Sequence, residues 1–155
     1  TELSMLKKLL FTTSPRNLDL ALLLLRLGFG ASMALAHGLG KVKDLAGFTA
    51  GVAARGVPIP ELLGPAAALS ELVGGLLLAL GLLTRPAAGF VLATMAVAAF
   101  HVHGNDPFAR KELALAHGLV ALAIAIGGPG RFSLDARLFG QPGLPSTRGA
   151  SSIGT

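Results

Sequence analysis

The chain contains no cysteine, no tryptophan and no tyrosine, and only 14% of its residues are charged. Without thiols there can be no disulfide, no Cys-ligated cofactor and no CxxCH haem attachment, so a redox role would have to use a bound cofactor or a partner subunit. Without Trp and Tyr the residues that ordinarily mark membrane interfaces are missing, and phenylalanine alone is left for that belt. The same lack removes the strongest stacking surfaces for bases. The formal charge of +5 is carried by Lys and Arg at the ends of apolar segments. That placement suits anionic lipid headgroups, and no nucleic-acid partner is expected.

Apolar residues dominate what remains. They make up 52% of a 155-residue chain, with a mean hydropathy of +0.69. A soluble domain of this size needs more polar surface than such a composition supplies. The expected fold is therefore all-α: an integral membrane four-helix transmembrane bundle with short amphipathic terminal segments and the lipid bilayer as its surroundings.

The pattern along the chain places the pieces. Residues 1–18 form an amphipathic lead, with Met5, Leu6, Leu9 and Leu10 set against Lys7 and Lys8. Residues 19–137 form the membrane domain, with spans at about 19–40, 61–83, 87–103 and 110–126, each close to the length that crosses about 30 Å of hydrocarbon. Residues 41–60 join the first two spans as an amphipathic loop closed by Pro58 and Pro60. Pro107 is expected at the first position of the last span. Residues 138–155 read as a polar tail. Glycines inside the spans allow close helix approach. With an even number of spans both termini share one side. Seven basic residues fall there against five on the other, favouring cytoplasmic termini in a bacterial inner membrane.

Ionisable groups inside the spans carry the functional reading. Arg26 lies seven residues into the first span and Glu71 near the middle of the second. A charge at that depth costs at least about 2.5–3.5 kcal/mol unless it is paired, so Arg26 and Glu71 are expected to form a buried ion pair. Such a pair could serve function or only fix helix register. Arg26, Met33, His37 and Lys41 share one side of the first helix. In antiparallel spans His37, Lys41, His101, His103, Glu112 and His117 all fall at one rim.

A rim of that kind could hold a quinone headgroup or another small molecule. Alternatively, His37, His101, His103 and His117 could ligate a metal or haem. In the plainest case, polar residues merely gather at a wet interface. The hexapeptide Ala-Leu-Ala-His-Gly-Leu occurs at 34–39 and again at 114–119; in so biased a composition coincidence accounts for it.

Three blocks carry a family resemblance. The segment LLLRLGFGASMALAHGLGKVKD has an Arg, spaced glycines and then HGxxK. GVPIPELLGPAAALSELVGGLLLALGLLTRPAA has GxPxP, a mid-helix Glu and a GLxTRxAA turn, and GGPGRFSLD closes the set. In order and spacing these resemble the DoxX family of small bacterial membrane proteins, over about residues 17–137. The resemblance implies four membrane helices and site positions at Arg26, His37, Lys41 and Glu71. It also implies company such as a thiosulfate:quinone oxidoreductase, a terminal oxidase, or complexes that handle oxidative and thiol stress. The function expected is a membrane subunit of, or accessory to, a redox complex, with protein partners or copies of itself, and contacting quinone. The rival readings are a structural or assembly subunit, and a small-molecule or ion carrier.

Overall fold

The structure, a computed structural model, describes residues 14–140. Most of the expected amphipathic lead, and of the expected polar tail, lies outside them. Among the described residues every regular element is helical, and there are six helices: α1 (Pro15–Lys43), α2 (Leu45–Ala54), α3 (Pro60–Leu80), α4 (Thr84–Val102), α5 (Phe108–Gly127) and α6 (Leu134–Phe139).

Local chemistry sets the helix starts. Ser14 accepts a hydrogen bond from the Asn17 N–H, and Pro15 follows at the first helical position, where its missing N–H costs nothing. Asp44 caps α2 by accepting from the Gly47 N–H at 3.0 Å. Ser133 caps α6 through the Ala136 N–H at 3.0 Å. Residues 41–60 were expected to be a loop; the Asp44 cap and the run that follows it instead form α2. Pro107 stands one residue before α5 rather than within it.

Three helices, α1, α3 and α4, are long and apolar enough to cross a membrane. The α5 helix has 20 residues but opens with Arg110, Lys111 and Glu112. Large apolar side chains such as Leu24, Leu35, Phe90, Phe100 and Ile126 point outward from these helices. In water that surface would be a severe liability; against acyl chains it is the natural exterior. The interior is correspondingly thin. Phe29 and Met33 from α1 meet Leu78 from α3, Ala87, Ala88, Val91 and Met95 from α4, and Ala121 and Ile124 from α5.

Glycine sets the α1–α3 register. A Cβ on Gly30 would overlap the backbone at Gly75 and Ala79, and one on Gly38 would overlap the backbone of Leu72. The two helices therefore run antiparallel with their backbones in near contact. Each of the three apolar helices also widens into a π-helical segment, at Ser32–Gly38, Ser70–Gly74 and Ala98–Val102. Such segments are uncommon and gather at functional positions. Here they contain His37, Glu71 and His101.

Candidate functional site

The structure separates the two buried charges. Arg26 is fully buried and donates from Nη2 to the Phe132 carbonyl at 2.8 Å and from Nη1 to the Leu78 carbonyl at 3.3 Å. Glu71, 2% exposed, takes both of its hydrogen bonds from Lys41 Nζ, each at 2.5 Å. The expected Arg26–Glu71 pair is thus replaced by Lys41–Glu71, and the reason is register. With Gly30 opposite Ala79 and Gly38 opposite Leu72, Arg26 lies level with the far end of α3. Glu71 is then roughly twelve residues away, about 18 Å at 1.5 Å per residue.

Around Arg26 the segment from Gly128 to Phe139 folds back as a clip. The Arg131 N–H donates to Asp19 Oδ1 at 2.9 Å, and the Asp135 N–H donates to the Gly81 carbonyl at 2.8 Å. Asp135 accepts from the backbone N–H groups of Leu83 and Thr84, both at 2.8 Å, so it caps α4 from the opposite end of the chain. Gly81 has φ +69° and stands where any Cβ would collide with the Arg26 guanidinium. Burial acts to raise the Asp135 pKa, but the hydrogen bonds from Thr84 and Leu83 and the charge of Arg26 outweigh it and hold the carboxyl below its ordinary value.

A pH prediction follows from the direction of that shift. Because the folded pKa is the lower one, the contribution of Asp135 is fully present above the unfolded value of about 3.9 and fades as pH falls through the folded value. Asp135→Ala is expected to lower stability by about 1–2 kcal/mol, as for a lost helix cap. Thermal unfolding in detergent checks it: the gap between wild type and variant should be constant from pH 7 to 5 and shrink below the ordinary carboxylate range.

The other end of the bundle holds the candidate site. A cavity of about 720 Å³ lies between α2, α3 and α4, walled mainly by apolar groups including Phe48, Val52, Leu63, Phe90, Val97 and Val102. Its polar lining is small and specific: Lys41 and Glu71, Ser70 and Thr94, Arg55 and His103. Lys41 Nζ also stands 5.0 Å from the centre of the Phe48 ring, a cation–π contact that ties α2 to α1. Ser70 and Thr94 hydroxyls meet at 2.6 Å across the α3–α4 interface. Polar contacts join the end of α2 to the end of α4, Arg55 Nη1 lying 3.5 Å from His103 Nδ1 among them. Arg55 Nη1 donates to the Val102 carbonyl at 3.4 Å, and His101 Nε2 lies 3.1 Å from the Gly56 carbonyl. His103 Nδ1 is 2.7 Å from Asp106 Oδ2. That hydrogen bond is the main reason the Asp106 carboxyl is held below its ordinary value; burial opposes it, and the charges of Arg110, His103 and Arg55 add to it.

The expected rim is therefore only partly gathered. Lys41 and His103 line the cavity; His101 stands beside it as an α2–α4 tie. His37 and His117 meet each other instead, edge to face with ring centres 5.1 Å apart, and His117 also packs 5.6 Å from Phe29. These are the equivalent histidines of the two Ala-Leu-Ala-His-Gly-Leu hexapeptides. Glu112 is exposed near the start of α5. Among the described residues no group of three or more His, Asp or Glu could hold a metal ion, so His37, His101, His103 and His117 do not assemble as one ligand set. The sequence reading missed Ser70, Thr94 and Arg55. Ser70 and Thr94 are small hydroxyls without distinctive spacing, and Arg55 lies in a stretch whose glycines and prolines read as a loop.

A model of the DoxX family matches residues 21–104, a stretch that holds Lys41, Glu71 and the three helices that wall the cavity. A protein of Haemophilus influenzae described as uncharacterized is 38% identical over 117 residues, covering 70% of this chain and 84% of that protein. No solved structure matches the chain.

Proposed function

The chain belongs to the DoxX family of membrane proteins, and from that premise we propose that it binds a quinone in the α2–α3–α4 cavity as an accessory subunit of a membrane redox complex. The observation that carries this reading is the cavity itself. Its size falls within the range of ligand sites, about 300–1,000 Å³, and its wall is apolar with a few convergent polar groups.

The chemistry of those groups suits a quinone. A neutral quinone presents carbonyl oxygens and needs donors. Lys41 has three N–H donors and Glu71 occupies two bonds' worth of them, and Arg55 offers guanidinium donors at the mouth. A quinol presents O–H groups and needs an acceptor, which the Glu71 carboxylate provides. The outward-facing Phe90 and Val97 line the same cavity, so an isoprenoid tail can leave sideways into lipid.

In this reading four helices cross the bilayer, α1, α3, α4 and α5. The α2 helix lies at the surface over the cavity, and α6 lies at the opposite surface. The charges opening α5 then sit in the headgroup layer at the cavity's end, where Lys41, Lys43 and Arg55 also fall, and the basic majority at the termini favours a cytoplasmic location for them in a bacterial inner membrane.

The test is quinone binding by the protein purified from native membranes into nanodiscs. Bound quinone is expected in the organic extract, together with partner subunits that carry haem or flavin. Replacing the ion pair by Lys41→Met with Glu71→Leu is expected to weaken a short-tailed quinone by about tenfold or more, the loss of a charge-assisted hydrogen bond. Protein that arrives colourless and quinone-free, and binds none when it is added, would end this proposal.

A further inference from the structure

The Ser70–Thr94 hydroxyl pair can turn one of its two protons toward the cavity without leaving a backbone group unpaired. Three contacts are drawn by two hydroxyls: Ser70 Oγ to the Ala67 carbonyl at 3.2 Å, Thr94 Oγ1 to the Phe90 carbonyl at 3.0 Å, and the 2.6 Å contact between them. Two protons cannot serve three acceptors at once. One hydroxyl donates to the other, and the second donates to a backbone carbonyl.

That carbonyl does not depend on it. The Ala67 oxygen already accepts from the Ser70 backbone N–H, and the Phe90 oxygen lies inside α4, where the helix supplies its own donor. Turning the outer hydroxyl proton away from its carbonyl therefore leaves no orphaned group. Both side chains are half-buried and both line the cavity rather than being sealed between helices. A pair serving only to hold α3 against α4 would need neither feature.

The placement is also specific. Ser70 and Glu71 are consecutive in the π-helical segment of α3, with Cα atoms about 3.8 Å apart. Both reach the same cavity. The widened turn thus presents two polar anchors from one stretch of backbone: the Lys41–Glu71 pair and the Ser70–Thr94 pair.

We infer that the Ser70–Thr94 pair is a specificity-determining second anchor, donating a hydrogen bond to a second oxygen of the bound headgroup while Lys41 serves the first. The site then takes a headgroup with two ring oxygens in preference to one with a single oxygen on the same tail. This inference rests on the cavity being the quinone site proposed above.

The experiment compares two probes carrying the same decyl chain, 2-decyl-1,4-benzoquinone and 2-decylcyclohexanone, on full-length protein in nanodiscs. Wild type is expected to prefer the dione. Ser70→Ala with Thr94→Val is expected to weaken the dione by about two- to tenfold, the range for one neutral hydrogen bond, and to leave the monoketone within about twofold. Thr94→Ser, which keeps a hydroxyl, should retain the preference and guards against a folding defect in the double variant. Equal losses for both probes, or no loss for either, would overturn the second anchor while leaving quinone binding intact. If wild type binds neither probe, the quinone site fails and the anchor fails with it.

Discussion

Lys41→Met alone is expected to cost about 1.5–3 kcal/mol of stability, the range for a hydrogen bond to a charged group, because it leaves the Glu71 carboxylate without its cation. Both oxygens of Glu71 accept from Lys41; the carboxylate is 2% exposed and the lysine side chain 29%, so removing the cation leaves a charge that only the cavity can solvate. Adding Glu71→Leu removes the stranded charge, and the double variant is expected to return to near wild-type stability, because hydrophobic replacement of a whole buried pair is often neutral or better. Unfolding in mixed micelles, followed by circular dichroism, measures both. The two variants separate folding from binding: the double variant folds but does not recover quinone affinity. A single variant as stable as wild type would mean that Glu71 has another partner.

The second large effect falls one turn away. Gly38→Ala is expected to destabilise by at least about 3 kcal/mol, the upper end of overpacking penalties, because the new methyl meets the backbone of Leu72 and Glu71 rather than a side chain that can turn aside. The helices must part, and the Lys41–Glu71 pair goes with them. Gly40→Ala, two residues on, has open space around it and is exposed. There the substitution should be neutral or stabilising by up to about 1 kcal/mol from helix propensity. The same unfolding measurement on both variants checks the contrast, and equal effects would refute the close approach of α1 and α3.

The sequence showed which groups are buried more clearly than it showed their partners. Arg26 and Glu71 stand out because each interrupts an apolar run, and both are buried. Which cation reaches Glu71 depends on how α1 slides along α3, and that is fixed by where Gly30, Gly38 and Gly75 let the backbones touch. Single-helix periodicity holds no such information. The stripe from Arg26 through Met33 and His37 to Lys41 does face inward, as its spacing implied, but its two ends serve different ends of α3.

The α2 helix was hidden by Gly47 and Gly51, which weaken helical pattern, although Asp44 three residues before Gly47 was a legible cap signal. The π-helical segments have no sequence signature, yet they shape the cavity wall around Ser70 and Glu71. From spacing alone the four histidines are expected to share one rim. Their division into a His37–His117 contact and separate ties at His101 and His103 depends on side-chain direction, which topology alone does not supply.

The bond between Arg26 and the Phe132 carbonyl spans 106 residues. At about 5–20 residues per second of synthesis, that acceptor emerges about 5–20 s after the guanidinium. During the interval the first helix enters the bilayer with a cation whose strongest acceptor does not yet exist, and insertion must tolerate it. The later-made clip is thus the fastener of α1.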